Sequence, residues 1–185
     1  MNQLFYEKNI KYTGKELSPH WILSTFKLYG DSIVSFIGEV DVPIDNMVDV
    51  EDRINNEPIY AKSMLNFIIE HFDYSIKEIA LAQILFIQSV KEVFFDDYNI
   101  NLKREGDDLF YEGKKLSVSI ATKSIVSGLI HTALNIDCTG APIMASDLNK
   151  IGIQDIKTLA KKIMKRYSNN IEKINFAITK VKGVF

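Results

Sequence analysis

Residues 104–137 limit most sharply what this chain can fold into. Two runs within them alternate with a period of two, the spacing of a strand whose side chains point to opposite faces. From Lys115 onward, Leu116, Val118 and Ile120 fall on one face, and Lys115, Ser117, Ser119 and Ala121 on the other. Further on, Ile130, Thr132, Leu134 and Ile136 alternate with His131, Ala133, Asn135 and Asp137. Gly113 is placed to make a tight turn between residues 108–111 and 115–122. The stretch reads as three antiparallel strands. If the polar sets share a face, they form a basic, hydroxyl-rich floor for a ligand.

The surrounding elements follow from capping and periodicity. A first strand is expected near residues 4–10. Ser18 and Pro19 are placed to start a helix that Gly30 ends. Residues 32–42 are rich in strand formers. In residues 61–72, Met64, Leu65, Ile68, Ile69 and Phe72 repeat at helical spacing, so a helix is expected there. Residues 75–95 are more apolar still and predict a helix lying in the core. A short strand at 100–103 opens the three-strand stretch, and a loop with Gly140 and Pro142 leads into a final helix. In that helix Ile156, Leu159, Ile163, Tyr167, Ile171, Ile174 and Ile178 form an apolar stripe, with Lys157, Lys161 and Lys165 on an offset basic one. The pattern predicts an α+β fold: a mainly antiparallel, mixed sheet flanked by helices, as one domain over residues 1–185.

Composition excludes several classes. A net charge of −2 argues against a dedicated DNA binder. A lone cysteine, Cys138, permits neither an intramolecular disulfide nor a cysteine-based zinc site, and fits a reducing cytosol. The first residues carry no long apolar core of a signal peptide, and no apolar run is long enough to cross a bilayer, so a cytoplasmic protein without membrane association is expected. Charge is uneven. Residues 39–57 hold Glu39, Asp41, Asp45, Asp49, Glu51, Asp52 and Glu57 against Arg53, whereas the chain from Lys150 onward is strongly basic. The two arms either neutralise each other, within one chain or between the subunits of a homodimer, or the basic one meets an anionic partner such as RNA or a nucleotide.

The order of motifs resembles the catalytic domain of biotin- and lipoate-protein ligases, relatives of the class II aminoacyl-tRNA synthetases. There a long helix leads to an Asn-Asp-aliphatic motif, a turn, a Lys-aliphatic-x-Gly strand, and a strand ending in Gly-x-Asn. Here the counterparts are residues 75–95, then Asp107, Asp108 and Leu109, then Glu112 and Gly113, then Lys115 and Leu116 with Val118 in place of glycine, and finally Leu134, Asn135, Ile136 and Asp137. Arg104 falls where the biotin ligases carry the lysine that opens the motif. The whole chain is also similar to an uncharacterised family, mainly archaeal with some bacteria, through GDSIVSFIGEVDVP, MVDVEDR, MLNFIIEHFD and KKLSVSIAT. The ligases hold substrate and phosphates with a Gly/Arg-rich loop. The matching residues 38–52 have one glycine and no arginine, and an acidic segment repels polyphosphate unless a metal ion intervenes.

The resemblance implies that Lys115 neutralises negative charge on a carboxylate-bearing or nucleotide-linked ligand during acyl or nucleotidyl transfer. Read from the residues alone, Lys115 is equally an exposed lysine on a sheet. His131 is either a general base or a hydrogen-bonded histidine. Asp108 holds a ligand hydroxyl or metal, or supports the turn; Asn135 orients a ligand or caps a strand end. Arg104, Ser117 and Ser119 are expected to line the cleft. Asp49, Glu51 and Asp52 either bind Mg²⁺ beside a nucleotide or form a solvated loop. The rival functions are a non-catalytic binding or assembly module on the same fold and an RNA-associated protein using the final helix.

Overall fold

The computed structural model describes residues 1–138 and 145–184. The Gly140 and Pro142 loop lies outside them. The core is a five-stranded mixed sheet in the order β1 (Asn2–Tyr6), β2 (Ser32–Val42), β3 (Ile59–Phe72), β8 (Ser127–Asp137), β7 (Ser117–Lys123). Strands β1 and β2 run parallel, and every other neighbouring pair is antiparallel. A separate three-stranded sheet is made of β4 (Lys103–Glu105), β5 (Asp108–Tyr111) and β6 (Lys114–Lys115). Glu112 and Gly113 both adopt positive φ, the two-residue turn that a twisted hairpin favours.

The helix expected over residues 61–72 is instead the central strand β3. Its residues 64–71 are buried without interruption because neighbours hydrogen-bond on both edges and both faces are covered. A strand in that position has no polar side to show, so its apolar run matches helical spacing as well as any other. The first helix also shifts. α1 spans Trp21–Phe26, with no side-chain cap from Ser18, whose carbonyl instead accepts from the Trp21 N–H.

Helices α3 (Ile76–Tyr98) and α5 (Ile156–Thr179) cover one face of the sheet. Ser75 starts α3 through a reciprocal capping box with Glu78. Phe86 sets its ring edge-on against both Phe67 of β3 and Tyr167 of α5, joining three elements at one point. At the helix surface Arg166 bridges Glu92 and Asp96, Lys162 reaches Asp97, and Lys157 pairs with Glu7. The basic arm is thus partly neutralised within the chain, though by acids other than those of residues 39–57. In the apolar stripe, Leu159, Ile163, Tyr167 and Ile171 are buried, but Ile174 and Ile178 are exposed.

Irregular chain and the short helix α1 cover the other face. Tyr12, Leu17, Ile22 and Met47 pack on Val34, Phe36, Val40, Met64 and Ile68. Gly38 permits this, since a Cβ there would stand 1.8 Å from the Ile10 carbonyl oxygen. The close approach lets Tyr12 exchange main-chain hydrogen bonds with Glu39 and Asp41 and so lie against the sheet. A short helix α2 (Val50–Asn55) follows β2 and the 3-10 turn Ile44–Asn46, and α4 (Leu148–Ile151) precedes α5. Among the described residues no helix is long and apolar enough to cross a membrane.

Candidate functional site

On this loop-covered face lies a cleft of about 240 Å³. Val40, Val42, Ile59, Val118 and Ile120 contribute the hydrocarbon part of its lining. Tyr12, Met47 and Val48 come from the irregular chain, Asp49 and Asp52 from the start of α2, and Asp107, Asp108 and Lys115 from the small sheet.

The shared polar floor expected from the alternation does not form. In the register of β7 with β8, Ser119 opposes Thr132 and Ile120 opposes His131, so the serines and the histidine point to opposite faces. Ser117 is buried, and its Oγ accepts from the Leu109 N–H at 2.9 Å, so it joins the two sheets rather than lining the cleft. Ser119 contacts Thr132 at 2.9 Å and accepts from Gln83 of α3 at 2.9 Å; it reaches the cleft only because β7 is the sheet's edge.

Lys115 and His131 nevertheless line the same cleft, for a reason the alternation hides. Residue 115 belongs to β6 and pairs with Phe110, whereas β7 begins at Ser117. The chain changes sheets at the buried Leu116, so the side-chain direction of Lys115 is set by the small sheet. Its Nζ lies 2.8 Å from Asp108 Oδ2.

His131 is 3% exposed. Burial pushes its pKa down to about 3, so the ring is neutral near pH 7. Its Nε2 lies 3.0 Å from Asn66 Oδ1. Asn66 Nδ2 faces the carbonyls of Met64 and Gly38 at 3.1 and 3.5 Å, which fixes the amide with its oxygen toward the histidine. Nε2 therefore carries the proton and Nδ1 is a bare acceptor. Tyr12 stacks on the imidazole, with centroids 3.6 Å apart and planes 15° from parallel. Burial first, then Glu16, raises the phenol's pKa well above its usual value.

The remaining expected site residues separate. Asn135 spends its amide on the carbonyls of Ser146 (3.0 Å) and Lys115 (3.4 Å), and does not line the cleft. Arg104 is exposed and donates to the Gly106 carbonyl. Asp49 caps α2 by accepting from the Glu51 and Asp52 N–H groups; Asp49 and Asp52 both line the cleft, while Glu51 is exposed and does not. Burial and the neighbouring Asp49 and Glu57 carboxylates raise the pKa of Asp52, against a lowering by Lys115. Among the described residues no three His, Cys, Asp or Glu side chains are gathered to hold a metal ion.

Sequence reasoning missed Tyr12 and Asn66. A lone amide inside the apolar run Met64–Ile69 was the available signal, because an amide buried there needs polar company. It also missed the neighbours of Cys138. The thiol lies 2.8 Å from Asp147 Oδ2 and 3.0 Å from Lys150 Nζ, and burial followed by the Asp147 hydrogen bond raises its pKa. Such a thiol stays protonated and is a poor nucleophile.

The family model for the domain of unknown function DUF366 matches residues 1–182, and the chain belongs to that family. It is 41% identical over 180 residues to the uncharacterized protein MJ0805 of Methanocaldococcus jannaschii, covering 94% of this chain and 81% of that one. A solved protein of unknown function from Pyrococcus horikoshi superposes with a TM-score of 0.93 at 34% identity, over 100% of this chain and 99% of the other. The biotin protein ligase of Aquifex aeolicus in complex with biotin and ATP gives 0.61 at 18% identity, covering 93% and 71%. P. falciparum LipL1 in complex with lipoate gives 0.58 at 12%, covering 93% and 63%. The fold is therefore that of the biotin and lipoate ligase catalytic domains.

Proposed function

We propose that this protein binds a small organic molecule in the cleft between β7, β8 and α2, with Lys115 meeting a carboxylate or nucleotide-linked oxygen of the ligand. The observation that carries the reading is the convergence of Lys115 and the neutral His131 on one apolar-floored cleft that lies on a ligase fold. A concave apolar site with a few converging polar groups is where a small ligand is expected. Acyl or nucleotidyl transfer is the catalytic form of this proposal. Lys115 would then offset charge that develops on the reacting oxygen, and Asp108 would hold the lysine in place.

A binding role without transfer has its own support. The segment that would cradle phosphates is here committed to capping α2 and walling the cleft with carboxylates. A divalent ion would have to be recruited together with the nucleotide, for which Asp49 and Asp52 are two of the four aspartates that line the cleft. Use of α5 for RNA has less behind it, since Lys157, Lys162 and Arg166 are each paired with an acid of the same chain.

The test is a thermal-shift panel of biotin, lipoate, octanoate and ATP, each with and without Mg²⁺. A carboxylate or ATP is expected to raise the melting temperature by mass action. Lys115→Ala is expected to abolish that rise without lowering the melting temperature of the free protein. If no member of the panel binds, or if the variant is destabilised by as much as the shift it loses, Lys115 is only the structural partner of Asp108.

A further inference from the structure

We infer that the cleft is built for a ligand that carries a protonated amine, or a similar cationic N–H group, on an apolar body. This rests on the ligand-binding reading above and names the chemistry of the ligand's second group. Three observations point the same way.

The first is the balance of charge. Asp49, Asp52, Asp107 and Asp108 line the cleft, and Lys115 is the one cation among its described lining residues. That ammonium is already held at 2.8 Å by Asp108. Gln83 Nε2 donates to Asp107 at 2.8 Å, and two main-chain N–H groups serve Asp49. Asp52 is left facing the cleft with no hydrogen bond to its side chain among the described residues, beside three other carboxylates, of Asp49, Glu57 and Glu51, that make its charge harder to hold against the partial relief given by Lys115. An arriving cation relieves that repulsion, and an arriving anion adds to it.

The second is the hydrogen-bonding character of the inner wall. His131 and Tyr12 are each 3% exposed and line the cleft. Among the described residues no protein group bonds to His131 Nδ1 or to the Tyr12 hydroxyl. Neither atom is sealed away, since Ser168 Oγ is the one fully buried polar side-chain atom there that lacks a partner. Because Asn66 takes the Nε2 proton, Nδ1 can only accept. A ligand that buries this nitrogen must supply a donor, or leave it unsatisfied at considerable cost.

The third is the floor. Ile59, Val118 and Ile120, with Val40 and Val42 behind them, offer no hydrogen bonds and favour a hydrocarbon body above them. Donor head, positive charge and apolar body together describe an alkyl amine or, if Lys115 also takes part, an amino acid with its charges at opposite ends. In either case the ammonium goes to Asp52 and the inner wall.

The experiment compares hexylamine, aminohexanoate with its amine at the far end, and hexanoate by NMR titration of the full chain. Both amine-bearing probes are expected to bind tighter than hexanoate by about tenfold, the difference made by a charge-assisted hydrogen bond. They are expected to move the resonances of Asp52 and Tyr12, and to weaken with added salt. Asp52→Asn removes the charge on an exposed helix turn and is expected to erase the preference; Tyr12→Phe is expected to reduce it. If hexanoate binds as tightly as the amines, or if Asp52→Asn leaves the ratio unchanged, the inference falls while the ligand-binding reading stands. If none of the three binds and the thermal-shift panel is also silent, both fall.

Discussion

The two faces of the large sheet are finished differently. On one, Ile33, Leu65, Phe67, Ile69, Ile130 and Leu134 meet two long helices, and every one of those side chains is closed off from solvent. On the other, the covering chain is short and irregular, and over β7 it leaves Val118 and Ile120 only partly buried. Helices offer a continuous ridge of side chains that fills the space above a sheet; loops follow their own backbone hydrogen bonds and leave gaps. The first face should therefore supply most of the stability, and the second has room for a ligand.

The sharpest way to break this contrast uses one residue type on adjacent strands. Ile130 of β8 faces α3 and is fully buried, whereas Ile120 of β7 opposes His131 beside the cleft. Ile130→Ala is expected to cost about 2–5 kcal/mol of unfolding free energy and Ile120→Ala about 1 kcal/mol. Urea denaturation measures both; equal losses would mean that the cleft side is as tightly packed as the helix side.

Next in size is an acid response. The folded pKa of His131 lies near 3, below its ordinary value of 6.5, because burial disfavours the charged ring. The unfolded chain takes up this proton at about pH 6.5 and the folded one does not, so the contribution is complete above that pH and is lost as pH falls toward 3. The slope is about 1.4 kcal/mol per pH unit. Unfolding measured between pH 7.5 and 5 should show it, and His131→Gln should flatten it. An unchanged slope in the variant would show that the imidazole is solvated rather than largely buried behind Tyr12.

The smallest effect lies at the rim of the packed face. Ser75→Ala removes one half of the capping box and is expected to cost about 1 kcal/mol, with the shift panel unaffected. A change in ligand response would show that α3 reaches the cleft through Gln83 and Ser119 more strongly than packing alone suggests.

Much of the frame was legible in the sequence. The long apolar helix, the final helix and the edge strand β7 each show their own period, because each has one covered and one less covered side; β8, buried over residues 127–134, was legible because His131, Thr132 and Asn135 interrupt its apolar residues. The strand β3 was not legible, since burial on both faces removes the contrast on which periodicity depends. Of the site, Lys115, Asp108, Asp52, Asp49, His131 and Ser119 do line the cleft. The reason for their meeting could not be read, because alternation assumes one sheet and the chain changes sheet between Lys115 and Ser117. Tyr12 was invisible for a related cause: only the bare backbone of Gly38 explains how a loop tyrosine comes to rest on a histidine more than a hundred positions away.

That change of sheet has an evolutionary side. The Leu116 N–H bonds to Leu109 in the small sheet, while its carbonyl receives the Asn135 N–H from the large one. Insertions or replacements in the hairpin that carries Lys115 can therefore reposition the cleft's ammonium while the five-stranded register stays fixed by β8. Drift in that hairpin would thus reshape the rim of the cleft while the folding core is inherited intact.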